Sequence, residues 1–301
     1  MASPQALALK QGFKLFREQA LANPNQTLDQ MRANAAGFGK LTADVPDVEY
    51  RDVDAGGVPA MWVVPEGAHQ DRVLLYTHGG GYVFCSVETH RRLAAHIARA
   101  IGCVALVIDY RLAPEHPHPA AVTDAVTSYK WLLGRGIAAK HVALSGDSAG
   151  GGLALATALK LRDEGIALPA GVVPLSPWAD MVGATETMTS REAVDMLVSP
   201  QAIKDLAALF LKGQDAREPY ASPVYANYRD LCPIYVQVGD EEVLLDDARA
   251  VAEAAQSAGV DTTLDVFPEM QHVFQIAAGN LPEADEAIAR IAAWLKPRLG
   301  L

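Results

Sequence analysis

Cysteine is scarce: only Cys85, Cys103 and Cys232 occur in 301 residues. An odd, widely spaced set without a C-x-x-C pair excludes a disulfide framework and offers no thiolate cage for zinc. Free buried thiols in a reducing compartment are expected instead. Positive charge is short as well. Lys and Arg number 25 against 36 Asp and Glu, a formal net charge of −11, which argues against nucleic acid or an anionic membrane as an electrostatic partner. No apolar run reaches the length of a membrane span, and Lys10, Lys14, Arg17 and Glu18 interrupt the N-terminal stretch, so neither a secretory h-region nor a spanning helix is expected. These features together predict a cytoplasmic protein. G-x-G-x-x-G, P-loop and H-E-x-x-H motifs are missing, and His116 and His118 lack carboxylates at metal-site spacing, so no cofactor and no metal are expected.

What is present is globular material: half the residues are apolar and a fifth are charged. Residues 5–22 and 28–38 carry helical apolar spacing, and strands are predicted at 48–54 and 59–64 around Ala55-Gly56-Gly57. Strands at 73–77, 103–108, 141–145, 171–175, 233–238 and 262–267 then alternate with helices near 88–101, 119–134, 149–164, 246–258 and 282–296. Such alternation, with runs as apolar as Cys103-Val104-Ala105-Leu106-Val107-Ile108, predicts an α/β fold: a mostly parallel sheet with helices on both faces. Between Trp178 and Cys232 no strand is evident, but Ile203, Leu206, Ala207, Phe210 and Leu211 share a helical stripe. An insertion of that length in a compact domain is usually functional.

Two glycine-rich motifs each end a predicted strand. Gly146-Asp147-Ser148-Ala149-Gly150 lies at a strand-to-helix junction, the setting of a nucleophile elbow, in which a strained turn lifts Ser148 off the sheet. His78-Gly79-Gly80-Gly81-Tyr82 supplies a loop without Cβ atoms whose N–H groups can turn inward. The natural donors to an oxyanion are Gly80, Gly81 and the N–H of Ala149. A serine needs a base. Of eight histidines, His272 alone lies C-terminal to Ser148, which the order Ser, acid, His requires. The acid should follow the preceding strand, where Asp240, Glu241, Glu242, Asp246 and Asp247 stand; spacing does not choose among the five.

With His78 to Gly81, Asp109-Tyr110-Arg111-Leu112-Ala113-Pro114-Glu115, Gly146 to Gly151, Ser176-Pro177-Trp178-Ala179-Asp180 and the acidic stretch 239–247, nearly the whole chain resembles the hormone-sensitive-lipase-like branch of the α/β-hydrolases, the bacterial family IV esterases. The resemblance implies a serine carboxylesterase with a helical cap, acting on short- to medium-chain esters through an acyl-enzyme. It divides the chain into cap helices (1–45), hydrolase core (46–178), cap insertion (179–231) and the rest of the core (232–301). Aligning Leu244 and Asp246 with the family pattern places Glu242 at the catalytic acid, where the family usually has aspartate; Asp240 is the alternative. Asp147 and the 109–115 segment are read as structural. Tyr82, Trp178, Met196, Leu197, Phe210 and Val273 are the candidate substrate contacts. The expected partner is a small-molecule ester, and a homodimer is compatible with the sequence. Two rivals share the scaffold. A binding module would lack a triad member, and a peptidase or amidase would use the same one.

Overall fold

Short apolar strands separated by helices have one economical arrangement, a parallel sheet with crossovers on its two faces. The computed structural model describes residues 2–23 and 26–301; Met1, Pro24 and Asn25, within the expected N-terminal unit, lie outside them. The strands are β1 (Val48–Asp54), β2 (Pro59–Pro65), β3 (His69–Thr77), β4 (Cys103–Ile108), β5 (Val142–Asp147), β6 (Gly171–Leu175), β7 (Ile234–Gly239) and β8 (Thr262–Phe267). They form one sheet in the order β1-β2-β4-β3-β5-β6-β7-β8. β2 runs antiparallel to both β1 and β4, and all other pairs are parallel.

The crossovers are α3 (Val87–Ile101), α4 (Ala120–Gly134), α5 (Ala149–Asp163) and α8 (Leu245–Ser257), with α9 (Pro282–Leu299) closing the chain. Strand β4 explains the two cores. Val104, Leu106 and Ile108 pack with α4 and α5, whereas Cys103, Ala105 and Val107 face α3 and α9, because successive side chains leave opposite faces of a strand. The chain passes from β3 outward to β4 and returns to β5 on the other side. The crevice beyond the carboxyl ends of β3 and β5 is therefore the topological switch point, where ligands of open α/β sheets bind.

The N-terminal segment holds α1 (Pro4–Ala22), capped by Ser3, and α2 (Leu28–Ala35), opened by a Thr27–Gln30 capping box. The helix expected to run to 38 tightens into a 3-10 turn over Ala36–Lys40, where Gly37 and Gly39 weaken α-helix. Residues 179–231 contain α6 (Thr187–Ser190) and α7 (Pro200–Leu211) and no described strand. Strand β3 begins four residues earlier than its apolar pattern: 69–72 are polar and mostly exposed, His69 pairs with Cys103, and the register is irregular from there to Val73. Cys103 and Cys232 are free and buried, and Cys85 is free and half-buried. No described helix is long and apolar enough to cross a membrane.

Candidate active site

Ser148 joins β5 to α5 with φ 54° and ψ −122°, a conformation that costs an L-residue on the order of 1–3 kcal/mol. Its surroundings impose it. The Ser148 N–H donates to the Leu175 carbonyl at 2.8 Å, and its own carbonyl accepts from Gly152 at 3.0 Å and Trp178 at 2.9 Å. A Cβ on Gly146 would overlap the carbonyl oxygens of Thr77 and Gly150, and one on Gly150 would strike those of Thr77 and His78. The glycines thus let α5 press against the end of β3 and leave the half-buried serine at the crevice.

The glycine loop after β3 is fastened to the elbow by Asp147. That buried carboxylate accepts from the Tyr76 hydroxyl at 2.7 Å and the Gly79 N–H at 3.1 Å through Oδ1, and lies 3.2 Å from His90 Nε2 through Oδ2. Burial opposes its charge, but His90 and the Tyr76 hydroxyl outweigh it and hold the carboxyl below its usual range. His78 is a prop: its ring stacks on Tyr110 at 4.3 Å, and burial pushes the imidazole down to about 3. Gly80 and Gly81 adopt φ 106° and 60°, open to glycine at little steric cost. Ala149 heads α5, and first-turn N–H groups have no intrahelical acceptor. Ser148 therefore stands at the positive end of the α5 dipole, where anions are favoured.

On the other side, His272 Nδ1 lies 2.7 Å from Glu242 Oε2. Glu242 is fully buried, and its Oε1 accepts from the Gly239 N–H at 2.6 Å and the Ser176 hydroxyl at 2.7 Å. Ser176, at φ 44° after β6, also receives the Val273 N–H at 3.2 Å. Ser176 thus joins the Glu242 and His272 loops, and Leu175 and Trp178, close to it in the chain, bond the Ser148 turn. Burial works against the imidazolium, but Glu242, then Asp195 and Asp147, more than compensate, so the His272 pKa is raised above 6.5. The other four acids are engaged elsewhere. Asp240 accepts from the Glu269 N–H at 2.6 Å, Glu241 pairs with Lys10 at 2.7 Å, Asp246 accepts from Thr187 N–H at 3.1 Å, and Asp247 from Ala179 and Asp180 at 2.9 Å each.

The proposed substrate contacts divide. Tyr82, Trp178 and Phe210 are at most 2% exposed. Tyr82 stacks on Phe210 with centroids 3.9 Å apart and lies 6.1 Å from Trp178. These rings pack on one another, as bulky aromatics gain most by burying both faces. Met196 and Leu197 are half-buried and Val273 buried, all beside the His272 loop, and α7 instead presents Leu206, half-buried, against Gly81. Ser176, Asp195 and Gln271 were not singled out in the sequence. Ser176 sat inside a recognised motif and Gln271 adjoins His272, but short polar residues carry no periodic signal.

A family model described as an alpha/beta hydrolase fold matches residues 74–276, and the chain belongs to that family. Within it, the chain belongs to the hormone-sensitive-lipase-like branch of bacterial esterases. A crystal structure of an esterase from the bacterial hormone-sensitive lipase family is 45% identical, covers all of both chains and superposes with a TM-score of 0.95. An acetyl-hydrolase of Streptomyces hygroscopicus is 43% identical over 264 residues, 87% of this chain and 86% of its own. An esterase of Acinetobacter venetianus is 33% identical over 254 residues, 84% of each chain.

Proposed function

We propose that this protein hydrolyses carboxylic esters of short to medium acyl chains through an acyl-enzyme on Ser148. The buried 2.7 Å contact between Glu242 and His272, on loops tied through Ser176 to the strained Ser148 turn, carries the reading. With Nδ1 engaged by Glu242, Nε2 is the ring nitrogen left to take the Ser148 proton as Oγ bonds the acyl carbon. The carbonyl oxygen becomes an anion facing Gly80, Gly81 and Ala149 N–H groups. Its collapse breaks the ester C–O bond, and the alkoxide leaves with the proton from His272. A water then gives its proton to His272 and attacks the acyl carbon; Ser148 departs, regains the proton and frees the acid.

The segments 1–45 and 179–231 form the cap in this reading, over a core of 46–178 and 232–301, with Met196, Leu197 and Leu206 bounding a pocket of limited depth. The acetyl-hydrolase name of one relative agrees with small acyl groups. A cytoplasmic location and a homodimer belong to the same reading, checked by fractionation and light scattering. A p-nitrophenyl ester series from acetate to palmitate tests the substrate: rates should peak at about two to eight carbons, as a bounded pocket implies. Faster palmitate than butyrate cleavage would refute it, as would full activity in Ser148→Ala. Glu242→Gln should lower kcat by about 10⁴-fold, the scale of an acid-to-amide change in a triad, while Asp240→Asn changes it little. Because only neutral imidazole accepts the proton, kcat/KM should fall on acidification through a pKa above 6.5.

A further inference from the structure

Asp195 lies between α6 and α7, and its carboxylate is completely buried. Oδ1 accepts from the N–H groups of Leu197 at 3.0 Å and Val198 at 2.8 Å, and Oδ2 accepts from the Val243 N–H at 3.0 Å. Val243 directly follows Glu242. On the adjoining loop, Gln271 directly precedes His272. Its amide oxygen accepts from the Met196 N–H at 2.7 Å, and its nitrogen donates to the Val194 carbonyl at 3.0 Å. The short segment around Asp195 is thus bonded to the chain neighbour of the acid and to the chain neighbour of the base. Backbone N–H groups alone do not call for a charge here. A neutral oxygen would accept the same bonds without the desolvation cost of an ionised group.

We propose that Asp195 is a positioning residue for the ester hydrolysis: it fixes Glu242 through Val243, and its negative charge stabilises the imidazolium that forms on His272 as Ser148 attacks. The inference rests on the function proposed above. The groups facing Asp195 bear it out in sign. His272 attracts it, and Glu242 on the β7–α8 loop repels it. Glu241 is paired with Lys10 of α1 and accepts a hydrogen bond from the Gln271 amide, and Arg17 of α1 donates to the Asp195 carbonyl at 2.8 Å. Burial lifts the Asp195 carboxyl to about 6, with His272 and the Val198 and Val243 N–H groups opposing the rise and Glu242 adding to it. The charge is therefore present where His272 is neutral and working. It is also present as His272 takes up its proton, because the carboxyl at about 6 lies below the raised pKa of the imidazole.

The test is the pH dependence of kcat and kcat/KM on p-nitrophenyl butyrate for Asp195→Asn, with thermal unfolding recorded beside it. The acid limb should move to lower pH by about half a unit or more, and kcat at pH 8 should fall by roughly 10-fold with KM nearly unchanged. A folded Asp195→Asn protein with wild-type acid limb and kcat overturns the proposal, as does a lower melting temperature with the limb unmoved. Should Asp195→Asn not fold, Asp195→Ser, also neutral and able to accept a backbone bond, is read the same way: a shifted limb supports the role and an unshifted limb overturns it. Ser148→Ala, assayed in parallel, separates the two readings. Turnover there removes the proposed function itself, whereas an inactive Ser148→Ala beside an unmoved limb removes only the role of Asp195.

Discussion

Ser148 keeps a backbone conformation that only glycine adopts freely, and the fold tolerates it because neighbouring carbonyls and N–H groups leave no alternative. The strain is local and removable. Ser148→Gly should abolish hydrolysis yet raise stability by about 1 kcal/mol, the relief of strain less the entropy glycine adds to the unfolded chain, or ~2 °C in melting temperature. A calorimetric midpoint below that of Ser148→Ala would show the turn to be relaxed. At this scale Ser148 and His272 were legible, since a serine between glycines at a strand end and a lone downstream histidine are conspicuous. The acid was legible only through family resemblance. Five carboxylates within eight residues look alike until the fold buries Glu242 and sends the other four to separate partners.

At the scale of elements, α8 meets the segment after β6 at Asp247, whose Oδ2 takes two backbone N–H groups while Oδ1 has no hydrogen-bond partner among the described residues. Burial raises this carboxyl to about 8; the Ala179 and Asp180 N–H groups oppose the rise, and the Asp180 and Asp246 carboxylates add to it. The folded chain then holds a proton that the unfolded chain releases near pH 3.8, so this group costs stability progressively as pH rises from about 4 to 8. Asp247→Asn cannot ionise. Its melting temperature should gain on the wild type between pH 5 and pH 8.5, by an amount on the order of 1 kcal/mol; a difference that stays constant across that range would refute the assignment. The strands and main helices could be located from periodicity. The start of β3, the 3-10 turns and α6 could not, because polar pairing and four-residue turns leave no repeating apolar trace.

For the whole molecule, the order of layers followed from alternation, but the docking of the N-terminal segment on the core did not. It rests on a few buried apolar residues, Ala6 and Phe13 among them, and on single long side chains. Arg32 of α2 pairs with Glu115 at 2.7 Å and donates to the carbonyls of Val83 at 2.9 Å and Ala113 at 3.2 Å, while Lys10 and Arg17 reach the Glu241 and Asp195 segments. Removing residues 1–45 should therefore reduce kcat/KM by at least ~10²-fold, the scale at which small misplacements act. A truncated, folded protein at full rate would separate the helices from the chemistry. The same contacts brace the centre from two sides, with the Ser176 segment between them. Asp147 bolts the elbow to the glycine loop within the sheet itself, whereas Asp195 and Gln271 tether acid and base to the stretch leading into α7. A displacement of that stretch would therefore reach Glu242 and His272 before the Ser148 turn, whose own bonds run to Leu175, Gly152 and Trp178.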